Sequence, residues 1–394
     1  MPGRRPNRVR ASLTAGLAVA VLGAALVVSV RPAATHPRIT TTLLWQKDIA
    51  PILQRRCFSC HGPGNIAFSL ATYAEARPWA AAIREEILTR RMPPWSAAPG
   101  YGHFVNDPAL TQAEWDLVVA WVDGGAPSGQ TLAEERTPPV YVPTDAAWDA
   151  GEPSLRLTMP DAIEVAAGAA DSVQRIDMAT PFTTPTRVHG LAFKPGDRRI
   201  VRYATVREAA TDRWLFTWTP WSTSMHLPEG TAFVLPAGAK LRVEVGYRGT
   251  SEAASDRSEV GLYLDDASSG AVARPQTLVA SASTLPAGAA PTRLRGELIV
   301  AEATALQALW PEPGPGATSV ELTAYLPDGQ VRPLVWLREP PAAWPAPYIY
   351  AEPVPLARGT RLVMSVYAAN PTTAAVTVSP RLHLVGVPPA AATF

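Results

Sequence analysis

The 394-residue chain contains two cysteines, and both fall in one five-residue run, Cys57-Phe58-Ser59-Cys60-His61. Two thiols three positions apart, followed at once by an imidazole, have a short list of chemistries. They can add to the two vinyl groups along one porphyrin edge while the histidine takes the iron from below, the arrangement of c-type haem attachment. A redox dithiol or half of a zinc site would use the same thiols. The redox dithiol expects a thioredoxin-like strand ahead of the motif, and zinc needs a second Cys or His pair nearby. The flanks here carry a helical pattern and no second pair is close, so the spacing points to one covalent haem c. Cys57 and Cys60 are then its thioether residues and His61 its proximal iron ligand.

A distal ligand has to come from elsewhere. Met92, in Arg91-Met92-Pro93-Pro94-Trp95, is the first choice. Its thioether would favour ferrous iron and raise the potential relative to two imidazoles, and the following proline stiffens the loop that must hold the sulfur. His103 is the second candidate and an open coordination position the third.

The elements that must position these groups are read from periodicity. Trp45, Ile49, Ile52 and Leu53 recur at helical spacing just before the motif, and Trp79, Ile83 and Ile87 do so after it. Thr111-Gln112-Ala113-Glu114 is a capping box opening a helix whose apolar face includes Trp115, Val118, Val119 and Val122, with Gly124-Gly125 at its end. Residues 40–127 are therefore expected to be a small all-α domain. From 128 to 150 the chain is rich in Pro, Thr and acids and reads as a linker. Beyond it the period changes to two, as in Leu241, Val243, Val245, Tyr247 and in Val320, Leu322, Ala324, Leu326. The expectation is two all-β sandwich domains of jelly-roll-like type, 151–280 and 281–394, divided at the Ala-, Ser- and Pro-rich stretch Ser281–Pro291.

Composition narrows the function class. The net charge is only +1 and the 41 prolines are about twice the usual frequency. Outside the first ten residues no basic run interleaved with aromatics is present, which excludes nucleic acid as a partner. Arg4, Arg5, Arg8 and Arg10 precede an uncharged stretch, Ala11 to Val30. Residues 1–35 thus read as a signal peptide, with Pro32-Ala33-Ala34 the nearest cleavage site, or as a signal anchor holding the chain to the cytoplasmic membrane through residues 11–30. Either way the folded part is expected in the periplasm or outside the cell.

The stretch from about Trp45 to Pro127 resembles a family of cytochrome c domains found at the N-terminus of multi-domain bacterial exported proteins. The likeness is carried by the Cys57–His61 motif, Arg91-Met92-Pro93-Pro94-Trp95, Pro99-Gly100-Tyr101-Gly102, Asn106-Asp107, Leu110-Thr111 and Trp121-Val122-Asp123-Gly124-Gly125-Ala126-Pro127. It implies that Met92 is the distal ligand.

From about 150 onward the chain is similar to the paired β-sandwiches of copper type II ascorbate-dependent monooxygenases, the peptidylglycine and dopamine hydroxylase group. This likeness rests on turn segments: Lys194-Pro195-Gly196-Asp197-Arg198-Arg199, Leu227-Pro228-Glu229-Gly230, Leu235-Pro236-Ala237-Gly238, Asp256 to Leu264, Leu326-Pro327-Asp328-Gly329 and Arg358-Gly359-Thr360.

That resemblance implies copper ligands at positions that here read Arg202-Tyr203, Gly246-Tyr247 and Pro311-Glu312-Pro313-Gly314. His189, His226 and His383 remain in this half, well separated in sequence, so copper and copper monooxygenation are not expected. Trp214, Trp218 and Trp221 read as strand core sooner than as a stacking platform, and Asp256, Asp265 and Asp266 as turn caps sooner than as a calcium site.

The function expected is single-electron transfer through the haem to or from a redox partner protein, with the sandwiches as a docking or scaffold module. The alternative is a haem-dependent oxidoreductase related to the copper monooxygenases with an altered active site. A haem-based sensor or cell-surface binding protein is a third reading.

Overall fold

The computed structural model describes residues 39–129, 148–265 and 269–389. The export segment 1–35, most of the linker and Asp266 lie outside the described residues. Among those described, no helix is long and apolar enough to cross a membrane.

The described chain begins with short helices. A π-helical turn, Trp45–Ile49, runs into Ala50–Arg56 and then Phe58–His61, followed by Tyr73–Ala76, Ala80–Leu88 and Gln112–Asp123. The spacing noted in the sequence is the reason: Trp45, Ile49, Ile52 and Leu53 are all buried, packed with Phe58, Val118 and Trp121 in one core. The Thr111–Glu114 capping box forms with both of its reciprocal hydrogen bonds. Glu114 also receives Arg55 and Arg56 at 3.2 and 3.0 Å, tying the helix before the motif to the last helix. At the far end the Pro127 carbonyl accepts from both the Trp121 indole (3.0 Å) and the Trp45 amide (3.1 Å), which closes the helical segment.

The remainder is mostly strand, in two β-sandwiches. In the first, one antiparallel sheet runs in the order Ser172–Ala179, Lys240–Tyr247, Val201–Glu208, Arg213–Trp218. Facing it are Leu155–Thr158, Glu259–Leu264, Thr186–Lys194 and Thr231–Leu235, with Ser224–His226 also paired to Thr186–Lys194. Leu241, Val243 and Val245 point into the core between them, as their alternation requires.

In the second sandwich, Ala289–Ile299, Arg361–Asn370, Ala317–Tyr325 and Val331–Arg338 form one sheet. The other holds Arg274–Val279, Arg381–Val387, Thr304–Glu312 and Tyr348–Leu356.

The division between the sandwiches differs from the sequence expectation of 280/281. Arg274–Val279 pairs along its whole length with Arg381–Val387, so the second sandwich begins at about Arg274. The stretch Ser281–Pro291 is no break. Ser283–Leu285 pairs with Val376–Val378, and Ala289 opens a long strand. Low-complexity composition suggested a linker, but Thr284 and Leu285 still alternate out and in, and that suffices for a strand.

The two sandwiches share a continuous apolar core. Ala308, Trp310, Ile349 and Val385 of the second pack into the core of the first, with the Trp214 and Trp310 rings stacked at 6.1 Å. Trp214 and Trp218 are therefore structural, buried to 1% exposure.

Candidate functional site

The thiol-histidine motif sits where two short helices meet. The helix Ala50–Arg56 ends with the Cys57 amide on the Leu53 carbonyl (2.8 Å), and the turn Phe58–His61 starts directly after. One turn of chain therefore carries both sulfurs and the imidazole. The His61 Nδ1–H donates to the Phe68 carbonyl at 2.9 Å, and the rings of His61 and Phe68 meet edge to face at 4.8 Å. Burial holds His61 below the ordinary imidazole range, so the ring is neutral. With Nδ1 committed to a carbonyl, the lone pair lies on Nε2, the arrangement that metal-ligating histidines adopt.

Burial also pushes the Cys57 and Cys60 thiols up to about 12. A reactive dithiol needs the opposite shift. The cysteines are free of any disulfide.

Cys57, Cys60, His61 and Met92 all line one cavity of about 520 Å³. Its floor is formed by Trp79 and by Ile83 and Ile87 of the helix Ala80–Leu88 that follows it. The Met92 amide donates to the Glu86 carbonyl at 3.2 Å, and its side chain is 40% exposed. His103 lies elsewhere, in a separate recess with Arg332 and Tyr350 of the second sandwich. The residues on this cavity that could hold a metallo-cofactor are thus the three of the motif and Met92.

The loop that carries Met92 is pinned through the segment from Ala98 to Asn106. The Ala98 amide bonds to the Trp336 carbonyl (2.8 Å), Val105 to Ile349 (2.9 Å), and Ala351 returns to His103 (2.9 Å). Asn106 bridges three partners, donating to Pro347 (2.9 Å) and Ser222 (3.2 Å) and accepting from the Ile349 amide (3.1 Å). Phe104 inserts into the core of the second sandwich. Gly102, at φ 95°, lies where a Cβ would strike the Phe104 ring at 2.3 Å. The Pro-Gly-Tyr-Gly and Asn-Asp segments are therefore docking residues that fix the loop to the strand-rich part of the chain.

The far wall of the cavity comes from the sandwiches, supplied by Arg202, Trp221 and Arg248 of the first and Ala343 and Trp344 of the second. Of the three tryptophans grouped in the sequence, Trp221 alone reaches this wall. Arg202, Arg248 and Trp344 carried no local signal, because their relation to the motif exists only once the sandwiches pack beside the helical segment.

The positions where the copper monooxygenase resemblance would place ligands have other occupants. Tyr203 lies across Gly246, whose Cβ would meet its ring at 2.2 Å, so no side chain fits there. Glu312 receives His383 Nε2 at 2.6 Å and Arg207 at 2.7 Å, while His383 Nδ1 meets Thr277 at 3.0 Å. The histidines are less dispersed than the sequence implied. His189 and His226 come within 5.8 Å ring to ring, because Thr186–Lys194 pairs with Ser224–His226, and Tyr263 packs on His226 at 4.7 Å. Asp256 and Asp265 are engaged by the fold: Asp265 pairs with Arg187 at 3.0 Å, and Asp256 is wholly buried under hydrogen bonds.

The Glu312 lock joins the two sandwiches and makes a pH prediction. Burial works to raise the Glu312 carboxyl, but the His383 hydrogen bond and the Arg207 charge outweigh it and hold it down at about 2, against an ordinary 4.5. A depressed carboxyl stabilises the fold above its unfolded pKa and loses that contribution as pH falls through the folded one. Between pH 4.5 and about 2, wild type should therefore lose stability more steeply than Glu312→Gln. Urea denaturation midpoints compared at about pH 5 and about pH 3 measure this; parallel slopes would refute it.

No family model matches the chain, and no curated protein matches it. Solved structures that it is similar to include the major capsid protein P2 from bacteriophage PM2, 14% identical over 60% of this chain and 98% of that one, with TM-score 0.28. Recombinant peptide: N-glycanase F is 9% identical over 59% of this chain and 95% of that one, with TM-score 0.26.

Proposed function

We propose that this chain is an exported c-type cytochrome that transfers single electrons to or from a redox partner protein. Cys57 and Cys60 bond one haem c through thioethers, His61 is the proximal ligand and Met92 the distal one. The observation that carries the reading is the His61 tautomer: within a Cys-x-x-Cys-His turn, Nδ1–H is spent on the Phe68 carbonyl while Nε2 remains free at a cavity that the two thiols and Met92 also line. When bound, haem supplies the iron that cycles between ferrous and ferric states.

The protein's part is to hold that group and set its potential. Phe68 fixes the imidazole plane, Trp79, Ile83 and Ile87 offer apolar surface to a macrocycle, and the docked loop behind Met92 restrains the sulfur. A low-dielectric pocket penalises the more highly charged ferric state, and a thioether ligand favours ferrous iron, so both act to raise the potential. Secretion past the cytoplasmic membrane follows from the N-terminal segment and is required for thioether formation on an exported chain.

Met92 gives the direct test of the ligand set. Met92→Ala should retain its covalent pigment, lose the ferric absorbance at ~695 nm that reports sulfur ligation, and bind carbon monoxide or cyanide readily. Its midpoint potential should fall by on the order of 0.1–0.3 V, within the roughly 0.8 V that axial ligation spans. A wild-type spectrum without that band, unchanged in the variant, would remove Met92 from the site and favour His103 or an open position.

A further inference from the structure

Part of the cavity wall comes from outside the helical segment. Arg202 and Arg248 stand on the first sandwich, as does Trp221, and Trp344 on the second. Two of these side chains carry buried donors with no partner: Arg202 Nε and Trp221 Nε1. A buried N–H without an acceptor is uncommon, and two side chains that carry one meet on this wall.

The orientation of Arg202 is set from outside the cavity. Its Nη2 bonds Asp171 at 2.9 Å, and its guanidinium lies over the Trp344 ring at 5.5 Å. Trp344 in turn packs against Trp221 at 5.7 Å. The guanidinium is therefore held in place with Nε unused. Arg248 is also fixed, by a 2.6 Å bond from Nη1 to the Ile66 carbonyl, close to the His61 turn.

The charge balance agrees. The charged groups on the cavity are Arg56, Arg202, Arg248 and Glu86. Glu86 is neutralised by Arg91 at 2.9 Å, and Arg56 by Glu114. Arg202 is paired with Asp171, so what remains on the sandwich side is the Arg248 charge beside the Arg202 and Trp221 donors, while the helical side is apolar.

An amphipathic occupant fits that polarity, with its apolar body toward Trp79, Ile83 and Ile87 and its anionic groups toward the arginines. Haem has this division, since its two propionate carboxylates leave the same edge of an otherwise apolar ring. We infer that the sandwiches form part of the haem site, with Arg202 and Trp221 holding a propionate carboxylate of the haem attached at Cys57 and Cys60 and Arg248 adding a second cation. This rests on the proposed haem attachment. It gives the sandwiches a role beyond docking: their cations stabilise the ferrous state, and they shield the propionate edge from water.

The test uses the full chain matured with haem. In the reduced, diamagnetic wild type, the Trp221 Nε1–H resonance, identified by its loss in Trp221→Phe, should show nuclear Overhauser cross-peaks to the propionate methylenes. Arg202→Gln should keep its covalent haem, with its midpoint potential lowered by up to a tenfold change in the reduction equilibrium, about 59 mV for one electron. Arg202→Lys should recover part of that loss. Arg361→Gln, a change of the same charge at an arginine that does not line the cavity, should leave the potential where it was.

A pigmented wild type without those cross-peaks would overturn the propionate contact and leave the haem assignment standing. An Arg202→Gln potential equal to wild type would do the same. A wild type matured without pigment would overturn both.

Discussion

A chain carrying both Cys57→Ala and Cys60→Ala should emerge colourless from a host competent for c-type maturation, its covalent haem falling from one per chain to none. Wild type should keep its pigment through denaturation and extraction with acidified organic solvent, because thioether bonds survive both. The physical reason is the single turn that carries the two sulfurs. Burial raises both thiols to about 12, so little thiolate is present near neutral pH. A haem stain on a denaturing gel measures the outcome. Loss of pigment should be joined by faster amide exchange in Ala80–Leu88, whose Ile83 and Ile87 would then face an unfilled apolar cavity, while the strands keep their protection. Pigment in the double variant, or its extraction from wild type, would end the covalent reading.

Legibility in the sequence divides by range. Local signals carried through: the Thr111–Glu114 capping box, the helical burial of Ile49 and Leu53 and the alternation of Leu241, Val243 and Val245 all depend on neighbours within a few positions. The motif and Met92 stand out in the sequence by residue type and spacing, and the fold brings them to one cavity. The sandwich division was misplaced because a strand such as Arg274–Val279 is assigned by the partner it finds more than 100 residues later, and its own pattern is weak.

The cavity's second wall was illegible for the same reason. Nothing near Arg202 in sequence distinguishes it from other surface arginines. Only the fold brings it to the cavity that Phe68 and Met92 also line. The meeting of His189 and His226 likewise depended on a strand pairing across some 36 residues that no motif announced.

Rigidity across these long ranges has to originate somewhere, and the turn at Gly196-Asp197 is the best single source to test. Asp256 is fully buried and accepts four hydrogen bonds: the Gly196 and Asp197 amides at 2.8 and 2.9 Å on Oδ1, and the Tyr247 and Ser258 hydroxyls at 2.7 Å each on Oδ2. It thereby joins the loop ahead of Val201–Glu208 to the end of Lys240–Tyr247, the strands flanking Arg202 and Arg248. Gly196 admits no side chain, since a Cβ there would strike the Arg257 backbone at 2.6 Å. Asp256→Ala removes both carboxylate oxygens and leaves the Asp197 amide and two hydroxyls to find partners in a dry interior, with the Gly196 amide held only by a long bond to Ser258 Oγ at 3.3 Å. The cost should be on the order of 3–5 kcal/mol, near the upper end for a single substitution.

Asp256→Asn keeps one oxygen for the two amides, while Tyr247 and Ser258 can turn their hydroxyls to accept from the new amide group, so it should cost roughly 1–2 kcal/mol. Guanidinium denaturation followed by tryptophan fluorescence would read both values. Equal effects of the two substitutions would show that the hydrogen-bond count at Asp256 is not what holds the turn. If Asp256→Asn also shifts the potential of the proposed haem while Arg202 is intact, the turn transmits its order to the cavity wall through the strand it anchors.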